Sequence, residues 1–196
     1  MSFLRKKVAL EVQLEKLAEV GLVLNPGVAE AELTTFDDRA ALESKPYAGL
    51  IEAMGMELEE EPHTPLCDPL WMCDYECIED HGAYADVLRR LETLTGNAAQ
   101  LTNITDHVDL EEEAAWVAFD ARGASYRWEL EVNDDWLDPQ VLVRYNDLLE
   151  SSKAAVRIYS NHNDYGQVAF LAAFTPAQKR AFDKLSKVRL RPLSRT

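Results

Sequence analysis

Long apolar runs are missing from this chain: no stretch approaches the roughly 18 uninterrupted apolar residues of a membrane helix, so no membrane partner is expected. Arg5, Lys6 and Lys7 lead into an amphipathic segment instead of a secretory apolar core, and the reading is a cytoplasmic protein. Glycine is sparse as well. Its eight copies are scattered as caps and turns, with no Gly-rich phosphate loop and no dinucleotide fingerprint, so nucleotide chemistry is not expected. Three cysteines make no disulfide framework. Four histidines (His63, His81, His107, His162) sit in no strand-turn-helix nucleophile elbow, so no catalytic residue and no cofactor is assigned. Positive charge is the last shortage. With 20 Lys and Arg against 35 Asp and Glu the net charge is −15, the wrong sign for a phosphate-backbone footprint, so no nucleic-acid partner is expected.

What remains is 196 residues that are 47% apolar and 28% charged, enough to build a core and too apolar for disorder. No repeat, low-complexity tract or linker divides them, so residues 1–196 read as one domain. The charge is unevenly spread. Met1 to Gly55 has six basic and nine acidic residues (net −3), Met56 to Glu150 has five and 24 (net −19), and Ser151 to Thr196 has nine and two (net +7). A region so acidic must stay solvated or face cations.

Periodicity places helices at Arg5 to Val20, Val28 to Thr34, Arg39 to Ser44 and Tyr47 to Met54, with Leu58 in a short acidic strand. Residues 62–82 show no period and read as a connector or short helix. Tyr84 to Leu94 is helical, carrying Val87, Leu88, Leu91 and Leu94 on one face with Gly96 beyond. Leu101 to Val108 is extended, and Ala115 to Ala121 with Ser125 to Val132 alternate around Arg122-Gly123 as a hairpin. Pro139 opens a helix to about Leu149. Val156 to Ser160 and Gln167 to Phe174 are strands, and Thr175-Pro176 starts a last helix through Leu185. The fold class is therefore α+β: a helical N-terminal half packed on a mainly antiparallel β-meander, with a C-terminal helix.

Three places carry candidate chemistry. Asn133-Asp134-Asp135-Trp136-Leu137-Asp138 puts carboxylates around an aromatic, the composition of a protein-binding hot spot for Arg or Lys; the plainer alternative is a capped turn whose Trp136 plugs the core. The runs Glu59, Glu60, Glu61 and Glu111, Glu112, Glu113 extend that acidic surface. Cys67, Cys73, Cys77 and His81, with His63 nearby, would stripe one face if residues 73–81 were helical and could hold Zn²⁺; the alternative is buried thiols serving as small hydrophobes. The loop Asn161-His162-Asn163-Asp164-Tyr165-Gly166 reads as a hairpin turn. The basic residues Lys179, Arg180, Lys184, Lys187, Arg189, Arg191 and Arg195 read as neutralising the acidic middle within the molecule.

The segments Leu24-Asn25-Pro26-Gly27-Val28, Cys67-Asp68 to Cys77-Ile78-Glu79 and Trp128-Glu129-Leu130-Glu131-Val132-Asn133-Asp134-Asp135-Trp136 resemble a bacterial family of single-domain proteins without assigned chemistry. In size and charge the chain is also similar to the immunity proteins that protect bacteria from their own polymorphic toxins. That likeness implies a cognate protein toxin or effector with a basic surface as partner. A zinc-binding enzyme or metal-stabilised domain, and an effector chaperone or structural interaction subunit, are the competing expectations.

Overall fold

The run Val168–Phe174 has no polar side because both of its faces are buried. In this computed structural model, which describes residues 7–35, 37–60, 62–161 and 166–193, the run forms β6. It belongs to a four-stranded antiparallel sheet ordered β1-β6-β5-β7, with β1 at Leu70–Asp74, β5 at Arg157–Ser160 and β7 at Arg191–Pro192. Ala169, Leu171 and Ala173 face one core, and Phe170, Ala172 and Phe174 face another. A strand covered on both sides loses the polar half of the usual alternation. β1 obeys the same rule, sending Trp71 and Cys73 to the first core and Leu70 to the second.

The second core is roofed by the N-terminal helices α1 (Leu10–Ala18), α2 (Arg39–Ser44) and α3 (Ala48–Met54), together with α6 (Pro176–Leu185). Leu17, Leu42, Leu50, Ile51 and Phe182 are fully enclosed there. One polar residue stitches the layer. Gln13 is buried, its Nε2 donating to the carbonyls of Val8 (2.8 Å) and Leu42 (3.1 Å) and its Oε1 accepting from the Tyr47 N–H (2.7 Å). At its far end α6 opens with a reciprocal capping box between Thr175 and Gln178 and a proline at its first position.

In the first core, α4 (Ala83–Thr95) and α5 (Gln140–Ser151) meet a second, three-stranded antiparallel sheet. Its strands are β2 (Leu101–Asp109), β3 (Ala114–Ala121) and β4 (Ala124–Leu130), in that order. α4 touches β2, β3 and β6, so apolar residues on more than one of its sides are buried. The N-terminus of α4 is capped from outside: the Asp106 carboxylate of β2 accepts from the N–H groups of Gly82 (2.8 Å), Tyr84 (2.9 Å) and Ala85 (3.2 Å). Gly82, at φ 99°, makes the approach possible.

The α+β class is as expected, and the helices of the N-terminal half and the antiparallel meander are present. Several details differ. Residues 70–74 are a strand where a connector or short helix was expected, because half of their side chains serve each core and no single-face period survives. The strands at 157–160 and 168–174 pair with each other, and the second of them with β1, in a sheet separate from the meander. α1 begins at Leu10, and the second expected helix is a 3-10 turn at Glu30–Thr34. Leu58 lies beside an isolated bridge between Glu57 and Pro65, not in a strand. β4 stops at Leu130 because the next N–H, that of Glu131, turns to the Asp138 carboxylate at 3.1 Å. Among the described residues no helix is long and apolar enough to cross a membrane.

Candidate functional site

The segment after β4 does not wander free. Leu137 N–H donates to the Tyr75 carbonyl (2.7 Å), Ile78 N–H to the Asp135 carbonyl (2.9 Å), and Glu76 bridges Trp136. Two loops are thereby zipped together, which brings the segment carrying Asp74 and Glu76 alongside the one carrying Asp134 and Asp135. Asp74 Oδ1 accepts from the Glu76 N–H (3.0 Å) and from Gln167 Nε2 (3.1 Å), which also donates to Glu76 Oε2 at 2.8 Å. An amide holds these two acids in place, not a cation. Asp134 is exposed, with a left-handed backbone (φ 55°) that Asp tolerates. Asp135 and Trp136 are half-buried. Trp136 packs on the first core and also lines a groove of about 470 Å3 with Tyr75, Glu131 and Pro139, so it serves both as core plug and as surface.

Asp138 departs from its expected place on this surface. It is 7% exposed, and its carboxylate accepts from the N–H groups of Glu131 (3.1 Å) and Gln140 (2.9 Å), while its own N–H donates to the Tyr84 hydroxyl (3.1 Å). Its oxygens are committed to starting α5 and ending β4.

Glu111, Glu112 and Glu113 are exposed on the turn from β2 to β3. The register Asp109↔Ala114 and Ala115↔Leu130 sets that turn at the same end of the meander as Glu131. Glu59 and Glu60 are placed elsewhere, on the exposed turn closed by Leu58 N–H to Thr64 O and Leu66 N–H to Met56 O, bordering a groove of about 280 Å3 with Glu32 and Glu57. Glu61 lies outside the described residues, as does His162 with most of its loop.

The cysteine cluster is corrected. Cys73 is in a strand and Cys77 in the loop after it, so the helical stripe of Cys73, Cys77 and His81 does not exist. Cys67 packs in the second core and Cys73 in the first. Among the described residues no three His, Cys, Asp or Glu side chains are grouped to hold a metal. The thiols are held protonated: burial, reinforced by Asp68, pushes Cys67 up to about 12, and burial, reinforced by Asp74 and Asp135, pushes Cys77 up to about 11. Burial also drives Cys73 upward.

These shifts set an alkaline limit. A thiol with an ordinary value of 9.0 titrates in the unfolded chain before it does in the fold, so its contribution is complete below pH 9.0 and is lost as pH rises through 11 to 12. Tyr84, raised by burial to about 12, acts in the same sense. Urea midpoints should therefore fall between pH 8 and about pH 10.5. A Cys67→Ala, Cys77→Ala variant should show a shallower fall.

Three residues that sequence reasoning left without a functional role, His107, Trp116 and Arg127, stand on the open outer face of the meander, beside His81. His81 Nδ1 accepts from the Val108 N–H (3.0 Å), an assignment that puts the imidazole proton on Nε2. His107 stacks on His81 at 4.8 Å, Trp116 follows at 6.0 Å, and the Arg127 guanidinium lies 3.9 Å over Trp116 while bonding Glu129 at 2.7 Å. The signal was the alternation of β3, which puts Trp116 opposite to the buried Val117 and Phe119. In the basic C-terminal part, Lys179 pairs with Asp183 (2.6 Å) one turn along α6, so that charge is neutralised locally; Arg195 lies outside the described residues. Comparison with protein-family models, curated proteins and solved structures finds no match.

Proposed function

We propose that this protein is a cytoplasmic binding protein that neutralises a cognate basic protein, in the manner of an immunity protein blocking its toxin. The observation that supports this reading is the zipped loop pair: Asp74, Glu76, Asp134 and Asp135 around the half-buried Trp136. An aromatic anchor supplies apolar contact that controls dissociation, and ringed carboxylates accelerate encounter with a basic surface. Glu111 to Glu113 extend the attracting field at the same end of the meander.

The test is capture at low salt from the native cell, identification of what elutes at high salt, and measurement of the purified pair. Asp134→Asn with Asp135→Lys should weaken the complex by about 100-fold, mostly through slower association, with an unchanged unfolding midpoint. Asn preserves the left-handed turn. Trp136→Ala should act on dissociation instead. Unchanged affinity in both variants removes this surface from the reading. A partner that is active when free and inhibited when bound fits immunity, whereas one held unfolded fits a chaperone.

A further inference from the structure

A second concavity, of about 930 Å3, lies beside this surface and has its own composition. Gly82, Asp86, Arg89 and Thr93 line it at three- and four-residue steps, so it follows one face of α4 for about 16 Å, room for about five residues of extended chain. The opposite wall is the turn carrying Pro62, His63 and Pro65. Its floor is apolar, made by Trp71, Met72, Cys77 and Val87.

The charges on its rim do not cancel. Arg90 pairs with Glu57 at 2.5 Å and Arg89 with Asp86 at 2.5 Å, which uses both arginines. Asp74, Glu79 and Asp80 remain on the rim with no Lys or Arg ion pair among the described residues, and His81 Nδ1 lies 3.8 Å from Asp80. That nitrogen accepts the Val108 N–H, so it is not the atom that donates to Asp80. The three acids are not gathered for a metal ion. Carboxylates spread along an apolar trough suit a side chain that has a long hydrocarbon stem and a cationic head.

We infer that this groove binds an extended, arginine- or lysine-bearing segment of the basic partner, with the stems lying on Trp71, Met72 and Val87 and the heads reaching Asp74, Glu79 and Asp80. The inference rests on the partner being a basic protein and adds how its chain is gripped. The folded body of the partner meets Trp136, while one strand-like segment runs along α4.

The probe is the capped hexapeptide Leu-Arg-Leu-Arg-Leu-Arg, titrated into the whole protein by calorimetry and by amide NMR. Saturable binding with shifts confined to the turn carrying His63 and to residues 71–93 is expected. The isosteric set Asp74→Asn, Glu79→Gln, Asp80→Asn, which keeps the acceptors that hold the loop, should weaken it at least about tenfold. Ala83→Trp should do the same by filling the groove without changing charge. Glu111→Gln, Glu112→Gln, Glu113→Gln removes equal charge from the meander tip and should leave the affinity within about twofold. Equal losses in the two triple variants, full binding to Ala83→Trp, or equal binding of the citrulline analogue overturns the inference. So does sedimentation showing the groove occupied by a second copy of the chain. Peptide binding that survives while no native partner is captured would count against the immunity reading alone; a captured partner indifferent to Ala83→Trp would count against the groove alone.

Discussion

Replacing Glu92 by alanine is expected to cost about 4 kcal/mol of unfolding free energy. Glu92 is 6% exposed on the last turns of α4. Its Oε1 accepts from the Ala99 N–H (3.2 Å) and from the Tyr145 hydroxyl, and its Oε2 from the Leu101 N–H (3.0 Å). One carboxylate thus holds the exit of α4, the start of β2 and the middle of α5. Truncation orphans two backbone donors in a site that α5 closes to water, and each orphan costs about 1–3 kcal/mol. Tyr145 is less exposed to the loss, since its hydroxyl also contacts Thr95 Oγ1 (2.8 Å) and the Leu91 carbonyl (3.2 Å). Tyr145→Phe should therefore cost only about 1–2 kcal/mol, and Glu92→Gln should fall between the two. Urea denaturation of the three variants gives the order directly. A Glu92→Ala loss below that of Tyr145→Phe would show that the loop donors find water.

That network shows why parts of the molecule were legible in the sequence and parts were not. The faces of α4 and the hairpin of β3 and β4 follow from the spacing of their own apolar residues, because those residues all serve one core. β1 was illegible for the opposite reason: Leu70, Trp71, Met72 and Cys73 divide between two cores, so the alternation that marks a strand is absent. The acidic site divides along similar lines. Composition pointed to Asp134, Asp135 and Trp136, but their neighbours Asp74 and Glu76 arrive through the backbone bonds of Tyr75 and Ile78, which no local pattern encodes. Asp138 has the same residue type as its neighbours and the reverse role, and what separates them is the pair of N–H groups its carboxylate receives.

Arg90→Met is expected to cost about 3 kcal/mol, and its pattern of rescue bears on the groove as well as on stability. Only 11% of the Arg90 side chain is exposed; burial pulls its pKa down, and Glu57 opposes that pull. The guanidinium donates to Glu57 Oε1 (2.5 Å) and to the carbonyls of Asp68 (3.2 Å) and Leu70 (2.6 Å), lying 5.4 Å over the Trp71 ring. It therefore fixes the Met56–Leu66 turn and the entry to β1 against α4. Asp68, whose backbone carbonyl it holds, accepts through its carboxylate from Asn25 Nδ2 (2.6 Å), so the loss reaches the turn at Asn25-Pro26. Lysine cannot reproduce a three-acceptor fork, and Arg90→Lys should recover less than half of the loss. Most of the cost is the charge left behind on Glu57, which is 29% exposed. The double variant Arg90→Met, Glu57→Leu should then be more stable than Arg90→Met alone, as is found when both members of a buried pair are replaced by apolar groups. The two variants should also part company in binding. Arg90→Met leaves an additional uncompensated carboxylate on the groove and should tighten the arginine-bearing hexapeptide, whereas the double variant restores the original balance and with it the original affinity.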